Sequence, residues 1–229
     1  MLKLISSMAT RQVLAELAAI WQQRSGVQVL IESVGGVDAA KRVQAGEAFD
    51  GVVLASDAID KLVAGGQVIA GSRVDLVRSS VAVAVQAGAP LPDISTESLL
   101  RSAIEAAPTI GYSTGPSGLA LVKLFERWGI LETVQPRIVQ APPGIPVGML
   151  VARGEVALGF QQLSELMHLE GIAVVGTLPA PVSITTIFSA GTCAVSSRGE
   201  ILASLLTFMA SGEAATVKRR HGMEPALEK

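Results

Sequence analysis

Apolar residues along this chain follow two alternating rhythms. Short unbroken runs of Val, Ile, Leu and Ala suit buried strands, while apolar positions three and four apart suit helices lying on them. Residues 2–5 read as a first strand. Residues 11–23 then place Val13, Leu14, Leu17, Ala18 and Trp21 on one helical face, closing near Gly26. Strands follow at 27–31, 51–54 and 81–85, with helices at 38–45 and 57–63. A helix at 97–106 comes next, with Ser95 or Thr96 as its cap. Further strands are predicted at 109–112, 137–140, 156–160, 172–175 and 184–188, and helices at 118–128, 146–153 and 163–168. Two helices, 199–210 and 213–221, finish the pattern.

The alternation predicts an α/β protein and restarts between two Pro-marked passages. Ala87-Gly88-Ala89-Pro90-Leu91-Pro92 is one, and Leu178-Pro179-Ala180-Pro181 the other. Two crossings imply a discontinuous first lobe, 1–86 with 184–229, around an inserted second lobe, 87–183. Each lobe is expected to be a mostly parallel sheet flanked by helices, with a cleft between them. The length of 229 residues suits two such lobes.

Composition narrows the function. Hydrophobic residues make up 49% of the chain and charged ones 17%, which excludes a disordered solvating chain. With 18 basic against 20 acidic residues there is no electrostatic footprint for nucleic acid. The longest stretch without Asp, Glu, Lys or Arg, residues 171–197, is broken by Gly and Pro and studded with Ser and Thr. A bilayer helix needs about 20 mostly apolar residues, so no membrane insertion is expected. No basic leader or cleavage site precedes the first strand. As the sequence stands this predicts a cytoplasmic monomer, and a periplasmic one if a leader has been removed. Cys193, the only cysteine, sits in an apolar run and reads as a buried inert thiol.

The candidate chemistry lies where strands hand over to helices. Ser6 and Ser7 end the first strand, beside the unsatisfied N–H groups of the next helix, which is an anion site by geometry; plain N-capping is the competing reading. Ile110-Gly111-Tyr112-Ser113-Thr114-Gly115-Pro116-Ser117-Gly118 repeats the device in the second lobe. There Ser117 is the expected cap, and Gly118 opens the backbone to a ligand. Gly159-Phe160-Gln161-Gln162-Leu163-Ser164-Glu165 puts two amides at a strand end, where α/β sheets bind ligands. Adjacent strand residues point opposite ways, so at most one glutamine faces the cleft unless the strand has ended before them. Arg78 is placed to meet a carboxylate, or simply to be solvated, and Gly35-Gly36 to expose backbone N–H groups or to turn. His168 and His221 read as helix-end residues. No Cys, His and carboxylate set has metal-ligand spacing, and no cofactor is implied.

Taken in order, Ser7-Met8, Gly35-Gly36, the run from Gln44 to Val53, Pro116-Ser117-Gly118, the run from Val151 to Gly159 and the run from Phe208 to Gly222 resemble one family. It is the type 2 periplasmic substrate-binding proteins of ABC transporters, nearest the molybdate-binding branch. The resemblance implies two lobes closing on a small anion, with an ABC permease as partner if the protein is exported. It makes Ser7 an oxyanion-binding hydroxyl and gives the second lobe's contacts to the N–H groups around Ser117 and Gly118. Two positions depart from the family. Val37 stands where it has a second binding serine, and Gln162 where it has a cleft tyrosine. Both remove a hydroxyl, so the expected ligand is an organic carboxylate rather than molybdate. The expected contacts are Ser6, Ser7, Gly36, Arg78, Ser113, Ser117, Gly118, Gln161 and Gln162. Binding without chemistry is the first expectation. The alternative is proton transfer on an unsaturated tricarboxylate, because aconitate isomerase is a member of the same superfamily. Glu165, Tyr112 and His168 are then the candidate bases.

Overall fold

The computed structural model describes residues 1–142 and 144–226. It opens with β1 (Leu2–Ser7), α1 (Arg11–Ser25), β2 (Val29–Val34), α2 (Gly36–Gln44), β3 (Gly51–Ala55) and α3 (Ser56–Ala64). The middle of the chain runs β4 (Val74–Gln86), α4 (Glu97–Ala106), β5 (Ile110–Tyr112), α5 (Pro116–Arg127), α6 (Leu131–Val134) and β6 (Ile138–Gln140). Then come α7 (Val147–Ala152), β7 (Leu158–Gln162), α8 (Leu163–Leu166), β8 (Ile172–Thr177), β9 (Thr185–Thr192), α9 (Gly199–Ala210), α10 (Ala215–Arg220) and β10 (Met223–Pro225). The chain divides into two compact units: Met1–Ser79 with the stretch from Thr186 onward, and Ser80–Thr185. Both crossings therefore lie inside strands, β4 and β9. The sequence placed them at 86/87 and 183/184, on the Pro-marked passages.

Unit 1 carries strands in the order β2-β1-β3-β9-β4, with β10 added to β4. The first three run parallel, while β9 is antiparallel to β3 and β10 antiparallel to β4. Helix α1 buries Val13, Leu14, Leu17, Ala18 and Trp21, the face its periodicity picked out, and ends at Gly26 in the left-handed conformation, φ 70°. That face packs with Leu202, Leu205, Leu206 and Met209 of α9 in the main core. A second core under α2 and α3 contains Phe49, Ile59, Leu62 and Cys193.

Unit 2 carries the order β4-β7-β5-β6, with β8 also on β4. β5 is parallel to β6 and β7, whereas β7 and β8 are antiparallel to β4. Two glycines shape this sheet. Gly111 and Gly159 are paired across β5 and β7. A Cβ on Gly111 would come within 2.7 Å of Val156, and one on Gly159 within 2.4 Å of Val151. Both would press on Val147 at 3.1 Å. The paired glycines form a bare saddle on which α7 sits closer than side chains would allow.

The longest strand was half seen from sequence. β4 covers 13 residues, and only its apolar second half, 81–85, stood out. Its first half carries Asp75, Arg78 and Ser79, which broke the pattern. Two of these are answered from β9 and β10: Ser189 donates to Asp75 at 2.6 Å, and Arg78 donates to the Pro225 carbonyl at 3.2 Å. Among the described residues no single helix is long and apolar enough to cross a membrane.

Candidate functional site

In unit 1 the parallel strands β1, β2 and β3 end side by side, and each hands over to a helix. Ser6 pairs with Ser33 in the ladder, and their hydroxyls lie 2.8 Å apart. Ser6 also donates to the Ser7 carbonyl at 3.3 Å, so its hydroxyl serves the strand ends. Ser7 stands at the start of the 3-10 turn Met8–Thr10 but makes no side-chain cap bond. Plain capping therefore does not account for it. Its Oγ has Thr10 Oγ1 at 3.5 Å, a contact at the limit of hydrogen bonding, while Thr10 donates to the Ser7 carbonyl at 3.1 Å. Gly36, the first residue of α2, lies against Ser7: a Cβ built on it would sit 3.7 Å from the Ser7 Cβ. The fold thus places Ser7 beside the α2 start. Asp38 occupies the first turn of that same helix and complements its dipole.

In unit 2 the ends of β5 and β7 are in register, Tyr112 opposite Phe160, so Ser113 and Gln161 continue from the same level. Helix α5 begins at Pro116, with Gly115 as its N-cap. Ser117 is therefore inside the first turn and is not the cap that the sequence suggested, because Pro116 takes the first helical position. It is 8% exposed. Gly118 has a different reason from the expected one: a Cβ there would lie 1.9 Å from the Ser113 carbonyl oxygen. The chain's own loop fills that space, so the glycine is demanded by the fold.

The strand β7 runs through both glutamines, two residues past its predicted end. Their side chains take opposite faces. Gln161 pairs with Ala82, which packs with Leu166 of α8. Gln162 pairs with Val81, which lies in the other core with Phe160 and Leu121. Both amides are buried, at 3% and 4% exposure. The Gln161 oxygen accepts from the Gly148 N–H at 3.2 Å, and its nitrogen donates to Glu165 Oε1 at 2.9 Å. Burial pushes the Glu165 carboxyl up to about 7, with the Gln161 hydrogen bond pulling it partly back. From sequence this residue looked like dipole complement for α8. Burial, which no local pattern announced, makes it a titrating group at neutral pH.

The remaining candidates fall elsewhere. Arg78 is tied to β10 through Pro225, as described above. His221 contacts Glu16 at 2.8 Å, joining the end of α10 to α1, and His168 is exposed beyond α8. The Cys193 thiol is buried and pushed up to about 12 by desolvation, which makes it inert. Lys218 went unremarked in the sequence, yet it is fully buried, with no hydrogen-bond partner for Nζ among the described residues. Desolvation lowers its ammonium to about 8. A cavity of about 250 Å³ in unit 2 is lined by Lys123, Arg127, Pro181 and Ile184 among others, and does not include Ser117, Gln161 or Glu165. Among the described residues no group of three or more His, Cys, Asp or Glu is placed to hold a metal ion.

Strand ends that present hydroxyls, amides and helix starts, in two units joined by two crossing strands, define a type 2 periplasmic-binding-protein fold. The chain belongs to the bacterial extracellular solute-binding proteins, whose family pattern it matches over residues 2–224. Its fold is similar to the periplasmic molybdate-binding protein of Azotobacter vinelandii, with a TM-score of 0.82, 22% identity and 100% of both chains covered. It is also similar to the substrate-binding domain of a putative molybdenum ABC transporter from Clostridium difficile, with a TM-score of 0.77, 12% identity and 99% of both chains covered. In sequence it is 37% identical over 230 residues to an aconitate isomerase of a Pseudomonas species, covering 98% of this chain and 87% of that protein.

Proposed function

We propose that this protein binds a small unsaturated polycarboxylate and shifts a proton within it. The observation that carries the reading is Glu165, a carboxyl at about 7 placed where β7 hands over to α8. A group titrating there is present in both forms near neutral pH, so it can take a proton and return it. The 37% identity to an aconitate isomerase supports the substrate class.

The chemistry balances without a cofactor. The Glu165 carboxylate removes a proton from a methylene that is alpha to one carboxylate and allylic to the double bond. The electron pair spreads over the allylic system and its carboxylates. The protonated Glu165 then returns the proton to the far allylic carbon, and the double bond moves by one position. In unit 2, Ser117 with the α5 start and Gln162 hold the carboxylates through neutral donors and helix N-terminal N–H groups, and in unit 1 Ser7 with the α2 start offers donors of the same kind. Low charge around the ligand suits a site that must not lower the basicity of Glu165.

The family match favours a second reading, delivery of the same carboxylate to an ABC permease outside the cytoplasm, with no chemistry. One experiment separates the two. The purified protein is incubated with trans-aconitate in D₂O, and both cis-aconitate formation and deuterium incorporation are followed by NMR. Conversion that disappears in Glu165→Gln, while calorimetry still shows binding, supports the isomerase. Binding with neither conversion nor exchange in the unaltered protein leaves the delivery reading. A thermal shift with molybdate and none with any di- or tricarboxylate would overturn the ligand class; saturation at about 100 times Kd adds ~2.7 kcal/mol of stability.

A further inference from the structure

Gln161 was expected to touch the ligand, yet both ends of its amide are already committed. The backbone N–H of Gly148 can only donate, so the oxygen of the Gln161 side chain must face it. That leaves the NH₂ end turned toward Glu165 Oε1, 2.9 Å away. An amide flip would set two donors against each other at Gly148 and two acceptors against each other at Glu165. The orientation is fixed by a backbone group that has no alternative role.

The origin of this arrangement lies deeper in the fold. Gly148 is the second residue of α7. It reaches Gln161 because α7 rests on the saddle made by Gly111 and Gly159, where any Cβ would strike Val147, Val151 or Val156. Gly148 is itself held by packing, since a Cβ there would come within 2.4 Å of Leu169. A chain of contacts thus runs from the paired glycines through the α7 backbone and the Gln161 amide to the carboxyl of Glu165.

We propose that Gln161 is a positioning residue for Glu165: it holds Oε1 by a donated hydrogen bond and leaves Oε2 as the oxygen that takes and returns the proton. The assignment deepens the isomerase reading and rests on it for the role of Oε2. Burial and the Gln161 bond are the two influences on this carboxyl. The strands packed against α8, β7 (Leu158–Gln162) and β8 (Ile172–Thr177), contain no charged side chain, and neither does α7. Beyond α8 the adjoining titratable residues in sequence are His168 and Glu170. Against the desolvation that raises this carboxyl, the hydrogen bond from Gln161 is the influence that lowers it.

The test reads the carboxyl directly. Glutamate side-chain carbons are labelled with ¹³C in the full chain, and the Glu165 signal is identified by its loss in Glu165→Gln. Its titration midpoint is then followed in the unaltered protein, in Gln161→Leu and in Gln161→Glu. Gln161→Leu removes the donor, and the midpoint should rise by about one pH unit, a tenfold change in proton affinity. Gln161→Glu keeps an acceptor for Gly148 and sets a second carboxylate beside Glu165, so the rise should be larger. It also serves if the leucine variant does not fold. A midpoint that stays in place in a folded variant overturns the proposal, and a drop in melting temperature alone, which a structural role would also give, does not rescue it. The titration needs no substrate, so absence of isomerisation strikes the proposed activity and not this assignment.

Discussion

Glu165 in unit 2 and Lys218 in unit 1 are both ionisable groups from which folding removes water, and burial moves each toward its neutral form. Glu165 rises from 4.5 to about 7, and Lys218 falls from 10.5 to about 8. The surroundings differ. Glu165 stands at the end of a sheet with an oriented amide donating to it. Lys218 stands on α10 beside the main core of unit 1, with no partner for its Nζ among the described residues. Similar desolvation thus has two outcomes. One buried group is held and aimed, which is how a fold prepares a proton carrier. The other is a strain on stability that the site does not use.

The largest effect expected from this contrast is on Lys218. Its folded pKa is depressed, so the unfolded chain binds more protons between about pH 8 and 10.5, and stability rises with pH across that window. At neutral pH the buried ammonium costs about 3 kcal/mol, since each pKa unit is worth about 1.4 kcal/mol. Lys218→Met keeps the length of the side chain and removes the charge. Denaturant unfolding at pH 7 and pH 10 should show a gain of about 2–3 kcal/mol at the lower pH and a vanished alkaline rise. Equal stability before and after the change would mean that the ammonium reaches a partner after all.

Glu165 has the opposite sign. Its folded pKa is raised, so its contribution to stability is full below about pH 4.5 and lost as the pH climbs through about 7. Glu165→Gln keeps a neutral side chain at every pH and should unfold about 2 kcal/mol later at pH 8, with little change at pH 4. A variant that is more stable and inactive would mark this position as one where the fold gives up stability for chemistry. A less stable variant would break the parallel with Lys218 and point to a structural carboxylate.

The legible part of the molecule was the part written in periodicity. The apolar face of α1 follows from side-chain spacing, and of the two caps the sequence offered for α4, Ser95 and Thr96, the structure uses Thr96. The first half of β4 was not legible, because Asp75 and Arg78 find their partners far away in sequence, at Ser189 and Pro225. The sequence pointed to the candidate site through strand ends and hydroxyls, and gave no sign of its electrostatics. Glu165 and its neighbour Gln161 stand four residues apart, but the third member, Gly148, comes from another helix, and burial has no local signature. Lys218 sits in a run of basic residues, Lys218-Arg219-Arg220, that reads as solvated surface, yet only the first of the three is buried.

The smallest effects separate a hydroxyl that caps from one that does not. Thr96 Oγ1 accepts from the Leu99 N–H at 3.2 Å, so Thr96→Ala should cost about 1 kcal/mol of stability and leave ligand affinity unchanged. Ser117 is also a hydroxyl at a helix start, but Gly115 and Pro116 already occupy the capping and first positions. Removing it deprives the fold of nothing it uses, so Ser117→Ala should shift stability by less than about 0.5 kcal/mol. If it is a ligand hydroxyl, the same change weakens carboxylate binding by about 1 kcal/mol, roughly fivefold, as expected for one neutral hydrogen bond. Calorimetry and unfolding on the same pair of variants read both numbers. A stability loss at Ser117 to match that at Thr96, with affinity intact, would assign both hydroxyls to the fold and leave the carboxylate to the backbone N–H groups of α5.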